Sequence, residues 1–260
     1  MKTMLCMILD RSGSMGGRER DVVGGVNRFI ADQKEVKGCE RDVISMMRFD
    51  SVVERFRSMK PLALCPMLLD QEYQPRGSTA LLDAIGHTLK QLDEDWSVER
   101  PDRCICVIVT DGEENASVEF NRDQVKRMIQ SRERSGRWSF IYLGANVDAF
   151  AEAQKMGISA INTVQYDSRT SRGIEQVYAS ASAAVGTMRA TGSTQAHNLG
   201  VDLTKGQVGQ AGPLFKPQVP GVDLTQMPKQ AMQWTPPEEK PGEQWVPPEP
   251  STWTLPSASA

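Results

Sequence analysis

Three short stretches of this sequence carry hydroxyls and carboxylates at spacings that suit a cation. They are Asp10-Arg11-Ser12-Gly13-Ser14, Gly77-Ser78-Thr79 and Thr110-Asp111-Gly112. Asp10, Ser12, Ser14, Thr79 and Asp111 offer only hard oxygen donors. No His or Cys is among them, which argues against zinc and other borderline ions. Hydroxyls with few carboxylates suit a small divalent ion that keeps some of its water, such as Mg2+ or Mn2+.

The same residues lack the parts of familiar catalytic sites. Phosphoryl-transfer enzymes with an aspartate nucleophile typically place a second Asp two positions on, and that position here is Ser12. No Gly-x-Ser-x-Gly elbow surrounds Ser12 or Ser14. Gly16-Gly17-Arg18 lacks the spacing and the Lys of a phosphate loop. The two histidines, His87 and His197, are distant in sequence, so Ser–His catalysis has no base. His87 reads as a partly exposed structural residue. A metal alone can activate water, so a metal-dependent hydrolase stands as an alternative. The balance predicts that the chain is not an enzyme.

The elements that must position these residues follow from hydrophobic periodicity. Met4–Leu9 and Cys104–Thr110 are continuous apolar runs, the mark of buried parallel strands. Val43–Phe49 and Val52–Phe56 are separated only by Asp50-Ser51, which predicts a hairpin and one antiparallel edge strand. Ser139–Leu143 and Ala160–Val164 read as further strands. Helical stripes run through Val22–Ile30, Leu81–Leu92, Val125–Ile129, Asp148–Lys155 and Ile174–Met188. Asn121-Arg-Asp-Gln124 has the form of a capping box. This alternation predicts an α/β domain with a doubly wound, mostly parallel sheet and helices on both faces. In such sheets ligands bind beyond the carboxyl ends of the strands, where strand order reverses. Asp10 and Asp111 each end or follow a strand, and Thr79 precedes a helix.

Asp10-x-Ser12-x-Ser14, Thr79 and Asp111 together resemble the metal-ion-dependent adhesion site of von Willebrand factor type A domains. The resemblance covers residues 1–190. It implies that Ser12, Ser14 and Thr79 give hydroxyl oxygens to the metal, while Asp10 and Asp111 supply negative charge, often through water. It also implies an open coordination position, filled in relatives by a carboxylate from a partner protein. Thr110-Asp111-Gly112-Glu113-Glu114-Asn115 and the stretch Tyr142–Phe150 resemble uncharacterised bacterial and phage members, which implies a microbial, intracellular branch. Glu113 and Glu114 read as a solvated face rather than as ligands. Asn146 and Asp148 suit the rim of the site, and Asn146 equally suits a helix start.

Composition divides the chain. Eleven of its 15 prolines lie in residues 191–260, whereas all five cysteines lie earlier. The reading is a domain at 1–190 and a Pro/Trp-rich, largely disordered or extended tail at 191–260. In the tail, Gly200-Val-Asp-Leu-Thr204 recurs as Gly221-Val-Asp-Leu-Thr225, and Gln233-Trp-Thr-Pro-Pro-Glu238 recurs as Gln244-Trp-Val-Pro-Pro-Glu249. Such proline density favours extended segments. Trp234, Trp245 and Trp253 are candidate partner-binding residues, and their repetition suits a multivalent ligand.

The odd cysteine count suggests no disulfide framework, and reduced thiols fit a cytoplasmic location. The Cys104/Cys106 pair reads as small buried hydrophobes on one strand face. With 30 basic and 33 acidic residues, the chain has no broad footprint for nucleic acid. No apolar run is long enough for a membrane span, and the N-terminus lacks a signal-peptide cleavage site. The functional expectation is a divalent-metal-dependent protein-interaction module. A structural component of a large assembly, such as a virus particle, whose tail wraps neighbouring subunits, is the first alternative, ahead of the hydrolase.

Overall fold

The apolar run after Lys2 forms β1 (Thr3–Asp10), all eight residues of which are buried in this computed structural model. The structure describes residues 1–145, 148–196 and 201–202, all within one unit, Met1–Lys216. Around β1 stand β2 (Val43–Phe49), β3 (Val53–Pro61), β4 (Arg103–Thr110), β5 (Trp138–Ala145), β6 (Thr163–Tyr166) and β7 (Val201–Asp202). The order is β3-β2-β1-β4-β5-β6-β7. All pairs are parallel except β2 with β3, the expected hairpin at the sheet edge. The chain winds outward from β1 in one direction and restarts at β4 in the other. The strand order therefore reverses between β1 and β4.

The helices are α1 (Glu19–Lys34), α2 (Leu81–Glu99), α3 (Arg122–Glu133), α4 (Ala149–Lys155) and α5 (Ser171–Thr191). Alternate residues of the central strands feed two cores, as the two-residue strand period requires. Leu5, Met7, Leu9, Ile105, Val107 and Val109 pack with α1 and α5. Met4, Cys6, Ile8, Cys104, Cys106 and Ile108 pack with α2, α3 and α4. The doubly wound architecture is thus the one expected from the sequence.

Local details depart from expectation in places. Ala160–Asn162 is a short 3-10 turn, and β6 begins only at Thr163. β-branched residues at Ile161, Thr163 and Val164 gave one strand signal where the chain first turns. The helix cap before α4 is Asp148, whose Oδ1 accepts from Ala151 N–H at 3.0 Å; Asn146 lies outside the described residues. β7 lies beyond residue 190 and takes Val201 and Asp202 from the first Gly-Val-Asp-Leu-Thr copy. Two residues are too few to leave a periodic signal. Asn121 does form the expected capping box with Gln124, at 3.0 and 2.8 Å.

The face covered by α1 and α5 is fastened by a buried polar network. Arg189 of α5 pairs with Asp42, just before β2, at 2.5 Å, and their side chains are 2% and 3% exposed. Arg189 also donates to the backbone and side-chain oxygens of Gln33 in α1. Asp42 accepts from Thr3 N–H at 2.6 Å. On the opposite face Trp96 stacks on Trp138 at 5.2 Å.

Candidate metal centre

The site sits at the carboxyl ends of β1 and β4, where strand order reverses. Asp10 is the last residue of β1, and Asp111 directly follows β4. After Asp10 the chain turns through a short 3-10 segment, Gly13–Met15, closed by Met15 N–H to Ser12 O at 3.0 Å. That turn brings Ser12 and Ser14 to one side. Two backbone bonds fasten it to the segment before α2: Gly13 N–H to Gly77 O at 3.1 Å, and Arg76 N–H to Arg11 O at 2.8 Å. Gly77 has φ +66°, a conformation that favours glycine, and a Cβ there would meet Ser51 Oγ at 3.0 Å.

The oxygens converge. Ser12 Oγ lies 3.0 Å from Ser14 Oγ, and Ser14 Oγ donates to Asp111 Oδ1 at 2.6 Å. Asp10 Oδ1 accepts from Ser12 N–H at 2.7 Å, and Asp10 Oδ2 accepts from Thr110 Oγ1 at 2.6 Å. Gly112 shows where Thr79 enters. A Cβ on Gly112 would meet Thr79 Oγ1 at 3.0 Å and Ser14 Oγ at 3.4 Å. Asp10, Ser12, Thr79 and Asp111 are buried, whereas Ser14 is exposed and marks the open side.

Two buried carboxylates so near each other are costly. Burial pushes Asp10 up to about 6, against the opposing hydrogen bonds from Thr110 and Ser12, and the charge of Asp111 adds to the rise. Burial also raises Asp111 above its ordinary value, opposed by the bond from Ser14. The neighbouring cation does not relieve them, because Arg11 pairs with Asp50 at 3.0 Å and Glu54 at 2.7 Å. A divalent ion among these oxygens would offset that cost. The donor set therefore fits such an ion: hard oxygens, two carboxylates, an acidic environment and an open side. Among the described residues, no group of three or more His, Cys, Asp and Glu side chains gathers at any place, so at this centre the two carboxylates need the hydroxyls of Ser12, Ser14 and Thr79 beside them.

All five residues singled out from the sequence thus meet at one place. Several supporting residues escaped that reading. Thr110 holds Asp10, and buried Tyr73 donates its hydroxyl to Asp10 O. Glu114 is neither a solvated residue nor one of the converging donors: it accepts from Leu82 N–H at 2.9 Å and from Ser117 N–H at 2.8 Å. Asp83 accepts from the N–H groups of Val118, Glu119 and Phe120. Only the position of Thr110 beside Asp111 offered any signal in sequence. His87 is partly exposed and packs edge-on against Phe120, with Glu119 at 3.2 Å. Trp234, Trp245, Trp253 and His197 lie outside the described residues.

This sheet order, with hydroxyls and carboxylates at the β1/β4 reversal, defines a von Willebrand factor type A fold. Solved structures share it. The vWF domain of the type V pili tip protein Mfa5 from Porphyromonas gingivalis matches at TM-score 0.50 and 11% identity, over 68% of this chain and 94% of that one. The pilus adhesin SpaC from Lactobacillus rhamnosus GG matches at TM-score 0.55 and 13% identity, over 70% of this chain but 29% of that one. Proximal thread matrix protein 1 from the mussel byssus matches at 0.50 and 10%, over 68% and 46%. The chain therefore spans less than half the length of the latter two. No protein-family model matches the sequence, and no curated protein does.

Proposed function

We propose that the chain binds Mg2+ or Mn2+ through Asp10, Ser12, Ser14, Thr79 and Asp111, and uses that centre to hold a carboxylate of a protein partner. The observation that carries this reading is the run of contacts from Ser12 Oγ through Ser14 Oγ to Asp111 Oδ1, with Thr79 Oγ1 and Ser14 Oγ both facing the bare Cα of Gly112. When bound, the ion supplies an incompletely neutralised positive charge with directional bonding. Ser14, on the exposed side, leaves room for an incoming acidic side chain. Arg11 stays committed to Asp50 and Glu54, so the recognition charge falls to the ion rather than to this arginine.

A binding role, rather than catalysis, is supported by the chemistry at hand. His87, the histidine among the described residues, is occupied by Phe120 and Glu119. Two of the structural neighbours are named as a pili tip protein and a pilus adhesin. All five cysteines are free and buried, which supports a reducing, cytoplasmic setting. No described helix is long and apolar enough to cross a membrane. The repeated Trp-x-Pro-Pro units at Trp234 and Trp245, with Trp253 beyond, supply a second, multivalent contact in this proposal.

The test is a pull-down on the full-length chain with and without chelator, beside an Asp10→Ala variant. A partner retained only by wild-type protein in Mg2+ supports the reading. An identical set of partners under all three conditions sinks it.

A further inference from the structure

The segment after Asp111 does not hang free beside the metal centre. Its residues Glu114 and Asn115, with Asp83 of α2, stitch it onto the start of α2. Thr79 is held on both sides of its peptide: Asn115 Oδ1 accepts from Thr79 N–H at 2.9 Å, and Thr79 O accepts from Asn115 N–H at 3.1 Å and Ala116 N–H at 3.2 Å.

The first turn of α2 explains why this stitching exists. A helix start leaves N–H groups without helical partners. The residue that precedes α2 is Ala80, which has no side-chain oxygen to cap them. Glu114, 32 residues along the chain, takes the Leu82 N–H at 2.9 Å, and Ser117 Oγ takes the Asp83 N–H at 3.0 Å. Glu114 also accepts from Ala116 N–H, Ser117 N–H and Ser117 Oγ, so its carboxylate fixes the segment's own bend. Asp83 returns the favour from the helix, accepting from three consecutive N–H groups, Val118 to Phe120, at 2.8–3.0 Å. The cap of α2 is thus supplied from a distant part of the same chain, the segment that follows Asp111.

We infer that Asn115 and Glu114 are positioning residues that lock the Thr79 ligand to the Asp111 ligand, so that metal affinity depends on this clamp. The inference rests on the metal reading above and names what sets the geometry of that centre. Thr79 and Asp111 come from different elements, and the clamp joins the Thr79 peptide directly to the segment that follows Asp111. Loss of the Asn115 side chain takes the acceptor from Thr79 N–H, leaves Thr79 O bonded to the Asn115 and Ala116 N–H groups, and leaves both cores intact, because Asn115 is exposed.

The experiment measures Mn2+ affinity, metal-free melting temperature and Thr79 amide exchange in full-length wild type, Asn115→Ala and Asn115→Asp. Asn115→Ala is expected to weaken Mn2+ binding by ~10–100-fold, the range seen when groups that orient metal ligands are removed. It should speed Thr79 amide exchange and lower the metal-free melting temperature by no more than about 4 °C. Asn115→Asp, which keeps an acceptor oxygen, should recover most of the affinity. Equal Mn2+ affinity in wild type and Asn115→Ala overturns the clamp alone. A lowered melting temperature with unchanged affinity also overturns it, since that is what a purely structural residue would show. If wild type takes up no Mn2+, the metal reading fails and the clamp's role falls with it. A Glu114→Gln variant, which loses acceptor capacity without a cavity, should show the same loss of affinity.

Discussion

Ser14 Oγ donates to Asp111 Oδ1 at 2.6 Å, although 97 residues separate them. One hangs from the turn after β1, the other from the end of β4. The bond exists because these two strands are neighbours at the point where the sheet reverses its order. A short polar pattern near the N-terminus thereby becomes half of a centre whose other half lies beyond the middle of the domain.

Gly112 gives a way to fill that centre without replacing a donor. Its backbone is outside the left-handed region, so Ala is tolerated locally, yet the new methyl would stand 3.0 Å from Thr79 Oγ1 and 3.4 Å from Ser14 Oγ. Gly112→Ala should lower Mn2+ affinity by ~10-fold or more, comparable to removing a group that orients a ligand. Circular dichroism should show the fold unchanged. Wild-type affinity in this variant, measured by calorimetry, would place the cation elsewhere.

The sequence reading reached all five donors because each stands at a boundary visible in hydrophobic periodicity. Asp10 closes an apolar run, Asp111 follows another, and Thr79 precedes a helical stripe. It also reached the antiparallel edge, since Asp50-Ser51 leaves room only for a hairpin. It missed the residues that hold the donors. Glu114 and Asp83 act across more than 30 residues on backbone N–H groups, and no periodicity records which N–H a carboxylate will meet. It missed the late start of β6, because Ile161 carries the β-branched strand signal of Thr163 and Val164 back into the turn. Tyr73 lies in an irregular stretch, so its burial against Asp10 came only from the fold.

The Arg189–Asp42 pair should dominate the stability of the α5 face. Both side chains are almost fully buried, and Asp42 also serves Thr3 N–H. Asp42→Ala leaves the Arg189 charge buried without its carboxylate, at an expected cost of ~3–5 kcal/mol. Urea unfolding would reveal this as a lower midpoint with unchanged slope. A loss under about 1 kcal/mol, the range of an exposed pair, would show that water reaches Arg189.

Glu133, the last residue of α3, should make stability depend on pH. Burial pushes its carboxyl from 4.5 up to about 7. Below 4.5 the group is neutral in both folded and unfolded chains and costs nothing. As pH rises from there towards 7, the unfolded chain releases the proton first, and stability falls. Above 7 both states are ionised and the full cost persists. Glu133→Gln should therefore flatten the stability profile between pH 4.5 and 7 and raise the melting temperature at pH 8. The check is a thermal scan across pH for both proteins. Parallel curves would mean that Glu133 is solvated.

The most direct test of the central claim is thermal melting of the full-length chain against increasing Mg2+ or Mn2+, for wild type and Asp111→Ala. Binding to the folded state alone raises stability by RT ln(1 + [L]/Kd), about 2.7 kcal/mol when the ion is at 100 times its Kd. The account predicts a melting temperature that climbs steadily with the logarithm of ion concentration in wild type and stays flat in Asp111→Ala. Flat curves for both proteins, or equal climbs in both, would contradict it.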